Sequence, residues 1–75
     1  MIRYRIRINN GDSNQTKTYY FVHKDWEKLS SEEQDNAFDC AVKELNHIYQ
    51  DYGRFATSTG VLKLFAKFGF EQTLP

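Results

Sequence analysis

The stretch Ser30–Gly53, SSEEQDNAFDCAVKELNHIYQDYG, decides the fold. Within it Phe38, Ala41, Val42, Leu45, Ile48, Tyr49 and Tyr52 recur at steps of three and four, and Asp39, Lys43, Glu44, Asn46 and Gln50 fall away from them. One apolar stripe of that period marks an amphipathic helix with a single face in a core. Ser30 and Glu33 have the S-x-x-E spacing of a capping box, in which each side chain satisfies an orphan amide of the other. Glu32, Glu33 and Asp35 sit in the first turn, where the helix dipole favours negative charge. Gly53 is placed to end the helix in a left-handed conformation.

Upstream, residues 2–8, IRYRIRI, alternate without a fault, with Ile2, Tyr4, Ile6 and Ile8 on one side and Arg3, Arg5 and Arg7 on the other. That period predicts a strand with one covered and one solvated face. Asn10-Gly11 and the polar residues after it are turn chemistry, and Thr16–His23 has the β-branched and aromatic make-up of a returning strand. The pair reads as an antiparallel hairpin whose register the sequence leaves open. Either Tyr20 and Val22 face the core, leaving Tyr19 and Phe21 beside the arginines, or the reverse. A slip of one residue exchanges the faces, so in both cases an aromatic ring lies among the arginines. Lys24–Leu29 is a connector in which Asp25 can start one helical turn.

Downstream, RFATSTG (residues 54–60) reads as a loop. In VLKLFAKFGF (residues 61–70) Val61, Leu64, Phe65 and Phe68 make a helical face with Lys63 and Lys67 off it, Ser58 or Thr59 as N-cap and Gly69 at C′. Leu62, Leu64, Ala66, Phe68 and Phe70 alternate equally well as a strand, but Leu, Lys and Ala favour the helix. The expected architecture is therefore one α+β domain over residues 1–75. An N-terminal antiparallel hairpin packs on the long helix, and a short helix and a short third strand follow; ββαβ is the alternative. A two-stranded sheet alone is marginal, so the helices must cover its Ile/Tyr face.

Charge is segregated although the net charge is zero. Residues 1–24 carry Arg3, Arg5, Arg7, Lys17 and Lys24 against Asp12. Residues 25–44 carry Lys28 and Lys43 against Asp25, Glu27, Glu32, Glu33, Asp35, Asp39 and Glu44. A basic sheet and an acidic helix start suit orientation of a charged partner, without the overall positive charge of a duplex-DNA binder. Cys40 is the single cysteine, so no internal disulfide forms and a reducing, cytoplasmic setting is the default. No run approaches the ~20 apolar residues of a membrane span, and no membrane role is expected.

Signatures of catalysis are missing: there is no G-x-G-x-x-G, P-loop, H-E-x-x-H or G-x-S-x-G. Cys40 and His47, two turns apart on the helix, stand roughly 10 Å from each other, too far for a nucleophile–base pair. They read as a semi-buried thiol and a surface imidazole, with His47 spaced to pair with Asp51. His23 has too few neighbours in sequence for a zinc site. No catalytic residue, metal or cofactor is assigned.

Two surfaces are candidates for partner binding. The first is the basic strand face of Arg3, Arg5, Arg7, Tyr19 and Tyr20, whose guanidinium groups repeat about every 7 Å along the strand. Arg pairs bidentately with carboxylates and stacks on rings, which suits an acidic protein; the same row suits phosphates of a single strand with bases stacked on tyrosine. The second is the acidic helix face of Glu32, Glu33, Asp35 and Asp39. The aromatic content, 16%, also exceeds what a core this small readily buries, so surplus rings would form a partner or self-association patch. The expectation is a non-enzymatic protein-interaction module that occupies a surface of a larger partner. Its size suits an accessory or inhibitory protein of a phage or mobile element, for example a CRISPR-effector inhibitor. The alternative is a single-stranded nucleic-acid binder, and a homodimer is a further candidate assembly.

Overall fold

Alternation along residues 2–8 and 16–23 is satisfied by one hairpin that turns its two apolar rows to the same side. A computed structural model describes residues 1–10, 15–51 and 57–75, without the side chains of Asn9, Asn10, Gln15, Gln50 and Asp51. The Asn-Gly turn, Tyr52, the Gly53 cap, Phe55 and the Asp51 partner expected for His47 lie outside the described residues. β1 (Tyr4–Asn10) pairs antiparallel with β2 (Gln15–His23) in the register Tyr4↔Phe21, Arg5↔Tyr20, Ile6↔Tyr19, Arg7↔Thr18. Residues directly opposite share a face. Tyr4, Ile6, Tyr19 and Phe21 therefore point one way, and Arg5, Arg7, Tyr20 and Thr18 the other.

This settles which of the two registers the hairpin takes. Tyr19 and Phe21 are buried, with 1% and 0% of their surface exposed. Phe21 outweighs Val22 as core material, since burying a large apolar side chain stabilises by about 1.5–3 kcal/mol and the larger ring sits at the upper end. Its ring stacks on Phe65 with centroids 4.4 Å apart.

The long helix α1 (Ser31–Asp51) begins where its capping box predicts. The Ser30 amide donates to Glu33 Oε1 at 3.1 Å, and the Glu33 amide donates to Ser30 Oγ at 3.1 Å. Its stripe faces the sheet: Ala41 and Leu45 are buried, and Phe38, Val42, Ile48 and Tyr49 pack against the core. Cys40 falls outside the stripe and is exposed, contrary to the semi-buried thiol expected.

The ambiguous segment is a helix, α2 (Ser58–Lys67), which buries Val61, Leu64 and Phe65. Its N-cap is Thr57, not the expected Ser58 or Thr59: the Gly60 amide donates to Thr57 Oγ1 at 3.1 Å. A Cβ at Gly60 would run into the Tyr49 hydroxyl, so glycine allows α1 and α2 to approach there. At the other end Gly69 takes φ +90°, a conformation open chiefly to glycine. The chain then reverses into β3 (Phe70–Gln72), antiparallel to β2, and the sheet order is β1-β2-β3.

The fold is thus α+β in the order ββααβ, with both helices on one face of a three-stranded antiparallel sheet. An aromatic column joins the layers. Tyr4 stacks on Phe38 at 4.5 Å, and Phe70 meets Tyr4 and Phe38 edge-on, each at 5.6 Å. Stacked and edge-to-face packing fits many rings into a small volume, each worth about 150–250 Å² of buried surface. Among the described aromatic residues only Trp26 is exposed, at 39%. The surplus-ring patch expected from composition is not present among them.

Candidate functional site

Because the helices cover one face of the sheet, the other carries whatever the strands project away from the core. β1 projects Arg5 and Arg7, with Arg3 just before it in the same alternation, and all three are exposed. β2 projects Thr18, Tyr20 and Val22, and β3 projects Glu71 opposite Val22. Arg5 lies directly across from Tyr20, which is half-buried. Arg3 Nη1 donates to the Leu74 carbonyl at 3.3 Å, reaching over this face to the C-terminal residues.

On the far side of Tyr20 from the arginines, a shallow depression of ≈ 390 Å³ is lined by Thr18, Tyr20, Gln72, Thr73, Leu74 and Pro75. Leu74 in its wall is 82% exposed. The outer face therefore runs from a row of guanidinium groups, across one tyrosine, to an apolar lip.

Of the sequence candidates, Arg3, Arg5, Arg7 and Tyr20 come together on this face. Tyr19 does not. It points into the core, where its hydroxyl donates to Ser58 Oγ at 3.1 Å and its ring stacks on Phe21 at 6.1 Å. The two tyrosines are consecutive on a strand, and period 2 forbids them a common face.

The acidic candidates lie on α1, across the sheet from the arginines, so the two patches do not form one continuous surface. Most of these carboxylates already have partners within the chain. Glu33 is held by the cap, and the Ser30 amide and hydroxyl keep its carboxyl below the ordinary range. Asp35 accepts a hydrogen bond from the Tyr4 hydroxyl. Asp39 pairs with Lys43 at 3.0 Å, one turn along the helix, and this neighbour raises the Lys43 pKa. Glu32 is exposed in the first turn.

No such pair joins a described carboxylate to Arg3, Arg5 or Arg7 of the sheet, and Glu71 is the acidic residue that the described strands project on the same face.

Sequence reasoning missed two buried polar groups. His23 is 6% exposed: its Nδ1 accepts from the Asp25 amide at 3.0 Å, so Nε2 carries the hydrogen donated to the Phe68 carbonyl at 3.1 Å. Gln34 is 4% exposed, with Nε2 donating to the Trp26 and Leu29 carbonyls at 3.3 and 3.1 Å, while its Oε1 is buried without a partner. Gln34 stands one turn before Phe38 on the apolar stripe, the one available signal for its burial. Both tie the β2–α1 connector to the helices. No group of three or more His, Cys, Asp or Glu residues suited to a metal occurs among the described residues, and no helix among them is long and apolar enough to cross a membrane.

No protein-family model, curated protein or solved structure matches this chain at a significant level.

Proposed function

We propose that this chain is a non-enzymatic protein-interaction module that docks its outer sheet face on an acidic surface of a larger protein. The observation that carries the reading is the row Arg3, Arg5 and Arg7 beside Tyr20, exposed and without carboxylate partners among the described residues. Arg and Tyr are among the residue types enriched at interface hot spots, because each joins a broad apolar body to directed hydrogen bonds. The depression beside Tyr20 and the exposed Leu74 add the apolar component that an interface core needs. Cys40, an exposed free thiol, fits a reducing setting such as the cytoplasm. The role proposed is accessory or inhibitory, such as that of a phage or mobile-element inhibitor of a larger effector.

Single-stranded nucleic acid is served less well by the same face. Stacking platforms present successive rings, whereas Tyr20 is the sole aromatic that the described strands project outward.

Affinity capture with the wild-type chain and an Arg5→Glu/Arg7→Glu variant tests the proposal. A protein recovered by the wild type should be lost with the charge-reversed variant and kept with Glu32→Gln. Equal recovery by all three would refute it. Tight oligothymidine binding that depends on Tyr20 and weakens steeply with salt would favour the nucleic-acid reading instead.

A further inference from the structure

β1 is an edge strand: in the order β1-β2-β3 its second side has no neighbour among the described strands. The hydrogen bonds of β2 show which backbone groups that edge presents. The Tyr20 carbonyl accepts from Thr73 N–H and the Lys24 amide donates to Gly69 O, both at 2.8 Å, so the even-numbered residues of β2 face β3. Within a strand, N–H and C=O groups alternate sides. Tyr19 and Phe21 therefore bond toward β1, and their partners Ile6 and Tyr4 make those bonds. It follows that Arg5 and Arg7 direct their backbone N–H and C=O outward from the free edge. The residues that carry the guanidinium groups also carry the unpaired ladder positions.

Resting on the docking role proposed above, we infer that this edge takes up an extended acidic segment of the partner as a fourth strand. Added strands gain affinity from main-chain hydrogen bonds and specificity from alternate side chains. On the outer side the guest's alternate residues would stand beside Arg3, Arg5 and Arg7, which selects Asp or Glu. On the inner side they would stand beside Tyr4 and Ile6, which are half-buried and leave apolar surface at the edge, with half-buried Phe38 and Val42 of α1 packed on the same core. Asp35, bonded to Tyr4, adds negative charge to that inner side. The recognised pattern is thus acidic and apolar residues in strict alternation.

A second copy of this chain is a poor guest. Antiparallel pairing of β1 with itself about Arg5 sets Arg5 against Arg5 and Arg3 against Arg7, and like charges directly opposite destabilise a ladder. A shift of one residue sets guanidinium groups against Tyr4 and Ile6.

The test uses a capped alternating Glu/Val peptide of about eight residues, its Lys/Val counterpart, and a peptide of the same composition with Glu and Val in separate blocks. Amide hydrogen exchange of the full chain is read residue by residue. The alternating acidic peptide should slow exchange at Arg5 and Arg7, leaving Tyr4 and Ile6 protected as before, and the other two should not. Arg5→Pro removes the outward N–H without breaking a bond to β2, and should weaken binding about tenfold beyond Arg5→Ala, which keeps it. Equal loss in the two variants would overturn the inference, as would protection by the Lys/Val or block peptide, by oligothymidine, or by raised concentration of the chain alone. Binding that shifts Tyr20 without protecting Arg5 and Arg7 would also overturn it, while leaving docking through the outer face intact. If the alternating peptide does not bind, the edge inference fails and the capture experiment alone decides the docking role.

Discussion

The imidazole of His23 lies against the α-carbon of Gly69, so closely that a methyl group there would come within 2.5 Å of Nε2. Gly69 is thus constrained twice, by φ +90° and by the ring. The contact fastens three junctions at one point: the end of β2, the connector that starts at Asp25, and the C-terminus of α2 at Phe68. Gly69→Ala should cost at least about 1–2 kcal/mol from the backbone conformation alone, with displacement of His23 in addition. Urea denaturation with an unchanged m value would show it. A loss below about 0.5 kcal/mol would mean that the turn relaxes freely.

Gln34 holds the same connector from the other side. Gln34→Leu removes donors from the Trp26 and Leu29 carbonyls but also removes the unpartnered Oε1. Stranded carbonyls outweigh that relief where water cannot reach them, so a net loss of about 1–2 kcal/mol is expected in equilibrium unfolding. Faster amide exchange across residues 24–30 should accompany it.

Tyr4→Phe separates the ring of Tyr4 from its hydroxyl. The stack on Phe38 persists and the bond to Asp35 is lost, for a cost of about 0.5–1 kcal/mol because that bond is open to solvent. Burial, then the Asp35 hydrogen bond and charge, push the Tyr4 pKa well above its ordinary 10.0. A raised folded-state pKa means that this contribution is whole below the ordinary value and is lost as pH rises from there through the folded-state value. As pH rises into the strongly alkaline range, wild type should therefore lose stability relative to Tyr4→Phe, the neutral-pH gap closing and then reversing, as thermal melts at stepped pH would reveal.

Glu33 gives the opposite sign. Its carboxyl is held below 4.5, first by the Ser30 amide and then by the Ser30 hydroxyl. A depressed carboxylate stabilises above its ordinary value, and that stabilisation fades as pH falls through the lower folded-state value. Glu33→Gln should melt earlier than wild type at neutral pH, with the gap closing under acid. A gap that widened in acid would contradict the cap.

Arg5→Ala/Arg7→Ala should leave stability within about 0.5 kcal/mol, since neither side chain has a carboxylate partner among the described residues. A larger loss on denaturant titration would show that these residues support the fold and would weaken their assignment to a partner.

The amphipathic stripe of α1, its Ser30/Glu33 cap, the alternation of β1 and the stop at Gly69 are all legible in sequence. Each depends on neighbours within a few positions, and 3.6- and 2-residue periods are local properties of the backbone. The helical state of residues 58–67 was only half legible. VLKLFAKF satisfies both periods, and the packing of Val61, Leu64 and Phe65 under the sheet selects one. Of the candidate site, Arg3, Arg5 and Arg7 could be placed together from alternation alone.

The rest needed contacts between distant parts of the chain. Tyr19 and Tyr20 are identical in chemistry, and the ring of Phe65, far away in sequence, determines which is core by accepting Phe21 in a stack. His23 and Gln34 are buried because of carbonyls on other elements. The acidic helix and the basic strand, whose relative placement charge counting leaves open, lie on opposite sides of a sheet. By itself the sequence determined the elements and the arginine row, since local sterics and periodicity set those. Only tertiary structure decided the register, the separation of the charges and the open edge of β1, because each follows from which faces the distant aromatic side chains could bury together.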